Sequence, residues 1–398
     1  EPSPSTAITR RETKRVTENF DHCFNSVTLD QEQRDFVNKR INDRLKLIGE
    51  LFDKHDFKAN LYVGGSVGLG QPSVAIENNI TTLKSDLDMF LILPGLEKTA
   101  SLQAFLKDIT ELPQDVDVSI HVQPVADFSH NPCSMEVDDL LQALPHPVRE
   151  RFMMPELKSL KPQVPKTAVL YLCGRMGAAA APFYVATHEF ANVPGDVIAH
   201  DEVTNQKAAL ATLKFLFYGK KEGWLNISDV ATAAREGWYE GIITEDEVID
   251  IIRRREQYRP DQAKSNLDLA ELFRKIVVKE RGLEQSATTA EAFQSLRDRY
   301  LAEPDSVDAS HSLLLAISLF LLAPSAALKD VVRRECAAER FSLVDLSEEW
   351  KSKLTEWANS DSSTADSIDS GRLMPDLVHA AMFSINKKGE AEIRNYYA

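Results

Sequence analysis

From Leu29 to Phe57, apolar side chains recur at helical spacing: Phe36, Val37, Ile41, Leu45, Ile48, Leu51 and Phe52. This predicts one long amphipathic helix. Thr28 is the expected cap, with Gln31 three positions on approximating a capping box. The period then shortens. Leu61-Tyr62-Val63 reads as a brief apolar strand that breaks at Gly64-Gly65-Ser66, and Ser85 to Leu93 reads as a longer strand. Between them, Gln71 to Lys84 reads as a partly polar loop. Leu102 to Ile109 predicts a short helix. From Gln114 to Val122, Asp115, Asp117, Ser119 and His121 alternate with valines and Ile120, as in a strand with one buried and one polar face. From about Val137 strand signals thin out. Helical spacing dominates at Glu245 to Tyr258, Leu267 to Arg281, Ala290 to Leu301 and Leu313 to Leu322.

These elements predict an α+β protein. A small mixed-sheet lobe is expected at residues 28–136 and a mainly α-helical lobe at 137–359. A polar arm, 1–27, expected to be disordered, precedes them; a polar linker beginning at Ser360 and a C-terminal segment, 360–398, follow. At 398 residues and 43% hydrophobic content the chain can bury a large core, and two lobes are expected.

The chemistry concentrates in LYVGGSVGLGQPSVAIENNITTLKSDLDMFLIL, Leu61 to Leu93. Along an extended strand Asp86 and Asp88 project to one side while Leu87 and Met89 point into the fold. Two adjacent carboxylates repel each other beside a core unless a cation neutralises them. Hard oxygen donors favour Mg²⁺ or Mn²⁺ bridged to substrate phosphates. Upstream, the glycines of Gly64-Gly65-Ser66 let the backbone turn sharply and bring N–H groups close to an anion, and Ser66 adds a hydroxyl. Neither the phosphate-loop pattern nor the dinucleotide fingerprint is present. A third acid is available on the alternating strand: Asp117, flanked by valines, ranks first, with Asp115 as the alternative. His121 shares their polar face.

On these residues the chain resembles the DNA polymerase beta superfamily of nucleotidyltransferases, whose signature is a Gly-Ser turn, an Asp-x-Asp strand and a third Asp on a neighbouring strand. The resemblance covers roughly Leu29 to Val125. It implies that Gly65 and Ser66 grip the β- and γ-phosphates, that Asp86 and Asp88 bind two Mg²⁺ or Mn²⁺ ions, and that Asp117 binds the catalytic one. The donor would be a nucleoside triphosphate, ATP by default. The basic residues that often follow the Gly-Ser turn in this superfamily are replaced by Val67, Gly68, Leu69, Gly70 and Gln71. Asp201 to Tyr218 is similar to the lysine-bearing helix of archaeal-type CCA-adding enzymes, oligoadenylate synthetases and cyclic-dinucleotide synthases. There Lys207 or Lys214 would meet triphosphate charge.

Charge narrows the acceptor. A net charge of −15 opposes extensive binding of a polyanion, because lysine and arginine neutralising phosphates supply most nonspecific nucleic-acid affinity. A nucleotide or small hydroxyl-bearing molecule is therefore the expected acceptor, with a tRNA or RNA 3′ end as the alternative. A nucleotide-binding scaffold without catalysis is a third reading. Basic clusters such as Arg253-Arg254-Arg255 have acidic neighbours and read as solvated helix faces. Cys23, Cys133, Cys173 and Cys336 are scattered, without metal or disulfide spacing, and read as reduced cytoplasmic thiols. Leu313 to Ala323, the longest apolar run, is too short to cross a bilayer. The polar, proline-bearing and basic first residues do not resemble a signal peptide.

Overall fold

The computed structural model describes residues 20–95, 99–113, 115–126, 140–155, 157, 196–216, 225–263 and 265–302, with Ser312, Leu315, Ala316 and Leu319. Most of the expected N-terminal arm, the linker from Ser360, the C-terminal segment and three of the cysteines, Cys133, Cys173 and Cys336, lie outside the described residues. In chain order the elements are α1 (Gln31–Lys54), β1 (Asn60–Val63), α2 (Gly65–Gly68), β2 (Val74–Glu77), β3 (Ile80–Leu83), β4 (Leu87–Leu93), α3 (Ala100–Thr110), β5 (Val118–Pro124) and β6 (Pro147–Glu150). Then come α4 (Asp196–Phe215), α5 (Ile227–Arg235), α6 (Glu245–Glu256), β7 (Gln257–Tyr258), α7 (Leu269–Glu280) and α8 (Thr289–Ala302). The fold is mixed α+β. Among the described residues no helix is long and apolar enough to cross a membrane.

Two compact units divide these elements, the first holding α1 to β6 together with Asn226–Ser228 and Glu256–Arg259. Its main sheet has the order β5-β4-β1-β6. β4 and β5 are parallel, whereas β1 runs antiparallel to both β4 and β6. The parallel pair is joined through α3, since parallel neighbours need a crossover connection. α1 lays Val37, Ile41, Leu45, Ile48 and Phe52 into a core shared with Leu87, Met89, Leu91 and Leu93 of β4. Phe52, Phe57 and Phe105 of α3 close this core, with ring centroids 5.1 to 5.7 Å apart. The opposite side of the sheet buries Tyr62, Phe90 and Ile92 with Leu140 and Ala143. β4 is thus apolar on both faces except at Asp88.

Three local expectations change. α1 is capped by Asp30, not Thr28: the Asp30 carboxylate accepts from Gln33 N at 2.8 Å, and Gln33 Oε1 accepts from Asp30 N at 3.0 Å. Thr28 is engaged elsewhere, its N–H and hydroxyl both donating to Glu256 at 2.6 Å. The segment after the glycine turn is a β-hairpin, not a loop. β2 and β3 pair around Asn78-Asn79, both left-handed at φ 49° and 63°, the backbone a tight hairpin turn needs and asparagine tolerates. β7 adds to β2 in parallel, so the helix expected to reach Tyr258 stops at Glu256.

The second unit is helical over its described length. α7 packs on α4; Leu272, Phe273, Ile276 and Val277 of α7 are buried, as is the whole run from Ala208 to Leu213 of α4. Asp268 caps α7, accepting from Glu271 N at 3.0 Å. Tyr239 is buried, donates to Leu213 O at 3.1 Å, and has its phenol pushed well above the usual range by burial. Ser312, Leu315, Ala316 and Leu319 are helical and buried; the other residues of the expected 313–322 helix lie outside the described set.

Candidate active site

β1 delivers the chain to Gly64, whose N–H donates to Asp88 O at 2.7 Å and docks the glycine turn on β4. Gly65 then takes φ +58°, a left-handed conformation natural to glycine. A methyl on its α-carbon would stand 2.1 Å from Asp88 Oδ2 and 2.8 Å from Asp88 Cγ. The turn therefore rests directly on the Asp88 carboxylate. The first N–H groups of the short α2 that follows have no helical acceptor.

Ser66 Oγ donates to Ser85 Oγ at 3.0 Å, immediately before the acidic pair. Asp86 is exposed and stands just ahead of β4, while Asp88 is half-buried within it. The register of β4 on β5 pairs Leu87 with Val118 and Asp88 with Ser119. Leu87 N donates to Asp117 O at 2.8 Å, so the same register carried back one position aligns Asp86 with Asp117. Partners in a parallel pair share a face, so Asp86, Asp88 and Phe90 lie beside Asp117, Ser119 and His121. Asp86 and Asp117 were expected inside their strands; each instead immediately precedes one, at the rim of the sheet where the ladder begins.

His121 stacks on Phe90, centroids 5.4 Å apart at 27°, with its Nε2 4.0 Å from Asp88 Oδ1. It is the only described base paired with these carboxylates. The choice between Asp115 and Asp117 is separated by α1. Asp115 pairs with Arg40 at 3.2 Å and with the buried Arg44, which also donates to Pro113 O. The Asp86 and Asp117 side chains have no hydrogen-bond or ion-pair partner among the described residues.

Gly65, Ser66, Asp86, Asp88 and Asp117 thus belong to one unit. Lys207 and Lys214 belong to the other, on α4, where Lys214 is buried and Lys207 half-buried. Ser85 carries no signal of its own in the sequence; its hydrogen-bond partners Ser66 and Ser73 lie 19 and 12 positions away.

Among the described residues, no three His, Cys, Asp or Glu side chains are already gathered closely enough to hold a metal ion. The donor set still fits a hard divalent cation. It is carboxylate oxygen throughout, it shares one face, and at Asp86 and Asp117 it is exposed and uncommitted. Comparison with protein-family models, curated proteins and solved structures returns no match.

Proposed function

We propose that the rim of β4 and β5 is the active site of a metal-dependent nucleotidyltransferase. The reaction joins the nucleoside monophosphate of a triphosphate to a hydroxyl of a nucleotide or small-molecule acceptor. The observation that carries this reading is the contact of the left-handed Gly65 with the Asp88 carboxylate. It sets a turn suited to phosphate oxygens against an acidic face that would otherwise repel them. Only a cation between the two reconciles anion and acid.

Asp86 and Asp88 would hold two Mg²⁺ or Mn²⁺ ions, with Asp117 completing the set. Bound there, the ions supply charge neutralisation and a more acidic acceptor hydroxyl. Ser66 and the N–H groups of the turn hold the phosphates in line. The acceptor oxygen forms its bond to the α-phosphorus as the bond to the β-phosphate oxygen breaks. Asp117 is the candidate to take the acceptor proton, and pyrophosphate leaves. The net charge of −15 supports a small acceptor over a long RNA. ATP is the donor to try first.

The test is pyrophosphate release from each of the four ribonucleoside triphosphates with Mg²⁺ or Mn²⁺, products identified by mass. The Asp86→Ala/Asp88→Ala chain runs in parallel. Turnover that disappears in the double variant supports the reading. Tight nucleotide binding without turnover, with candidate acceptors supplied, points instead to a non-catalytic nucleotide-binding scaffold.

A further inference from the structure

Ser85 is buried, and its one hydroxyl meets three groups. It accepts from Ser66 Oγ at 3.0 Å and from Ser73 N at 2.8 Å, and it contacts Ser73 Oγ at 3.1 Å in a bond that either oxygen can donate. A serine hydroxyl has one proton and two acceptor sites. With both acceptor sites filled, the Ser85 proton goes to Ser73. In that arrangement the Ser66 proton points back into the protein and its lone pairs face out, the wrong polarity for a phosphate oxygen.

The reversible Ser73 contact resolves this. If Ser73 donates to Ser85 instead, the Ser85 proton is released toward Ser66, and the Ser66 proton turns outward. The change needs rotation of three hydroxyls with a small turn of the side chains. Each of the three oxygens has a hydrogen-bond partner in both arrangements, so neither end state leaves one buried and unsatisfied. Ser73 is buried and sits at the root of the β2–β3 hairpin, where its carbonyl accepts from Lys84 N at 2.9 Å and Ser85 N at 3.2 Å. The hub is therefore braced from both ends of the hairpin.

We propose that Ser85 is a positioning residue of the triphosphate turn, the hub through which the hydroxyls of Ser73, Ser85 and Ser66 realign when a phosphate oxygen arrives. This rests on the nucleotidyltransferase reading above. Ser85 touches no substrate; it acts through Ser66. Removing it leaves Ser66 without a partner to orient it, so affinity for the triphosphate falls while the carboxylates are untouched.

The experiment is calorimetric titration of the full chain with Mg²⁺-ATP, on native protein, Ser66→Ala, Ser85→Ala, the double variant and Ser85→Thr, with thermal unfolding of each. Loss of one aligned hydrogen bond predicts about five- to tenfold weaker binding in Ser85→Ala. Ser85→Thr, which keeps the hydroxyl, restores part of it. In the Ser66→Ala background the Ser85→Ala change has no further effect on affinity. Native-like affinity in Ser85→Ala, or a weakening that persists undiminished without Ser66, overturns the proposal. Should Ser85→Ala not fold, Ser85→Cys takes its place: a thiol is only a weak hydrogen-bond donor and acceptor, so binding is expected to weaken less, again only when Ser66 is present; an unchanged affinity overturns the proposal there too. A native chain that binds no triphosphate defeats the functional reading itself, an outcome distinct from native binding with an unaffected Ser85→Ala.

Discussion

The α-carbon of Gly65 lies against the Asp88 carboxylate so closely that a single methyl there would meet Oδ2 at 2.1 Å, in a backbone at φ +58°. Gly65→Ala therefore combines a left-handed penalty of about 1–2 kcal/mol with displacement of Asp88. Asp88 would have to turn its carboxylate away from the turn. We expect a folded protein with a lowered unfolding midpoint and pyrophosphate release reduced about a hundredfold, the usual effect of misplacing a reacting group by an ångström. Near-native turnover in a stably folded Gly65→Ala chain would show that the contact is incidental.

Asp115 and Asp117, two positions apart, are expected to fail in different ways. Asp115 neutralises Arg44, whose side chain is only 2% exposed, but is itself 48% exposed. Truncating it to Ala leaves a buried guanidinium underpaired. After allowing for solvent at the carboxylate, the cost is about 2 kcal/mol of stability, with Asp86, Asp88 and Asp117 in place. Asp117→Ala should leave stability nearly unchanged, since its side chain has no partner among the described residues. Turnover should fall by at least about a hundredfold, as when one aligned charge-stabilising group is removed. Denaturant melts and pyrophosphate assays on the two variants separate the roles, and the reverse pattern would make Asp115 the third acid.

What the chain announces in advance is what depends on neighbours a few residues away. The period of Phe36 to Phe52, the break at Gly64-Gly65 and the Asp86-Leu87-Asp88 spacing are local, and each appears in the structure at or within a residue or two of its expected place. What it conceals depends on contacts across the fold. The cap of α1 falls on Asp30 because Thr28 is drawn to Glu256, more than two hundred positions away in the chain. Asp115 and Asp117 are chemically equivalent until Arg40 and Arg44 of α1 claim one of them. The hairpin from Val74 to Leu83 was hidden because its turn, Asn78-Asn79, lacks glycine. β6 and β7, at four and two residues, are too short to show any period. Ser85 is an ordinary polar residue in the sequence, and only Ser66 and Ser73 on either side of it give it a role.

Glu256 is fully buried and accepts from Val27 N, Thr28 N and Thr28 Oγ1 at 2.6 to 3.2 Å. It pins the segment leading into α1. Glu256→Ala strands three donors and is expected to cost about 3 kcal/mol. Glu256→Gln keeps one acceptor but turns an amide N–H₂ toward donors, and should cost less. Urea unfolding of the two variants checks the order. Equal, small losses would mean that water replaces the carboxylate.

His22 sets a pH limit on the fold. It is buried beside Phe20, its ring N–H donates to Asn42 Oδ1 at 3.1 Å, and burial holds its pKa down to about 4 against the opposing pull of Asn42 and Asp21. In the unfolded chain the imidazole titrates near its ordinary 6.5. Between these values the unfolded state binds the extra proton, so stability from this site is fully present above about pH 6.5 and declines as pH falls toward 4. At pH 4.5 the loss approaches about 2 kcal/mol. Carboxylates titrate in the same window, so the measurement is a difference: urea unfolding of native protein and His22→Gln at pH 7 and pH 4.5. Glutamine keeps a donor for Asn42 but carries no proton to gain. The variant is expected to be less stable than native at pH 7 and to lose about 2 kcal/mol less on acidification. Parallel losses in the two proteins would mean that His22 is charged in the folded state.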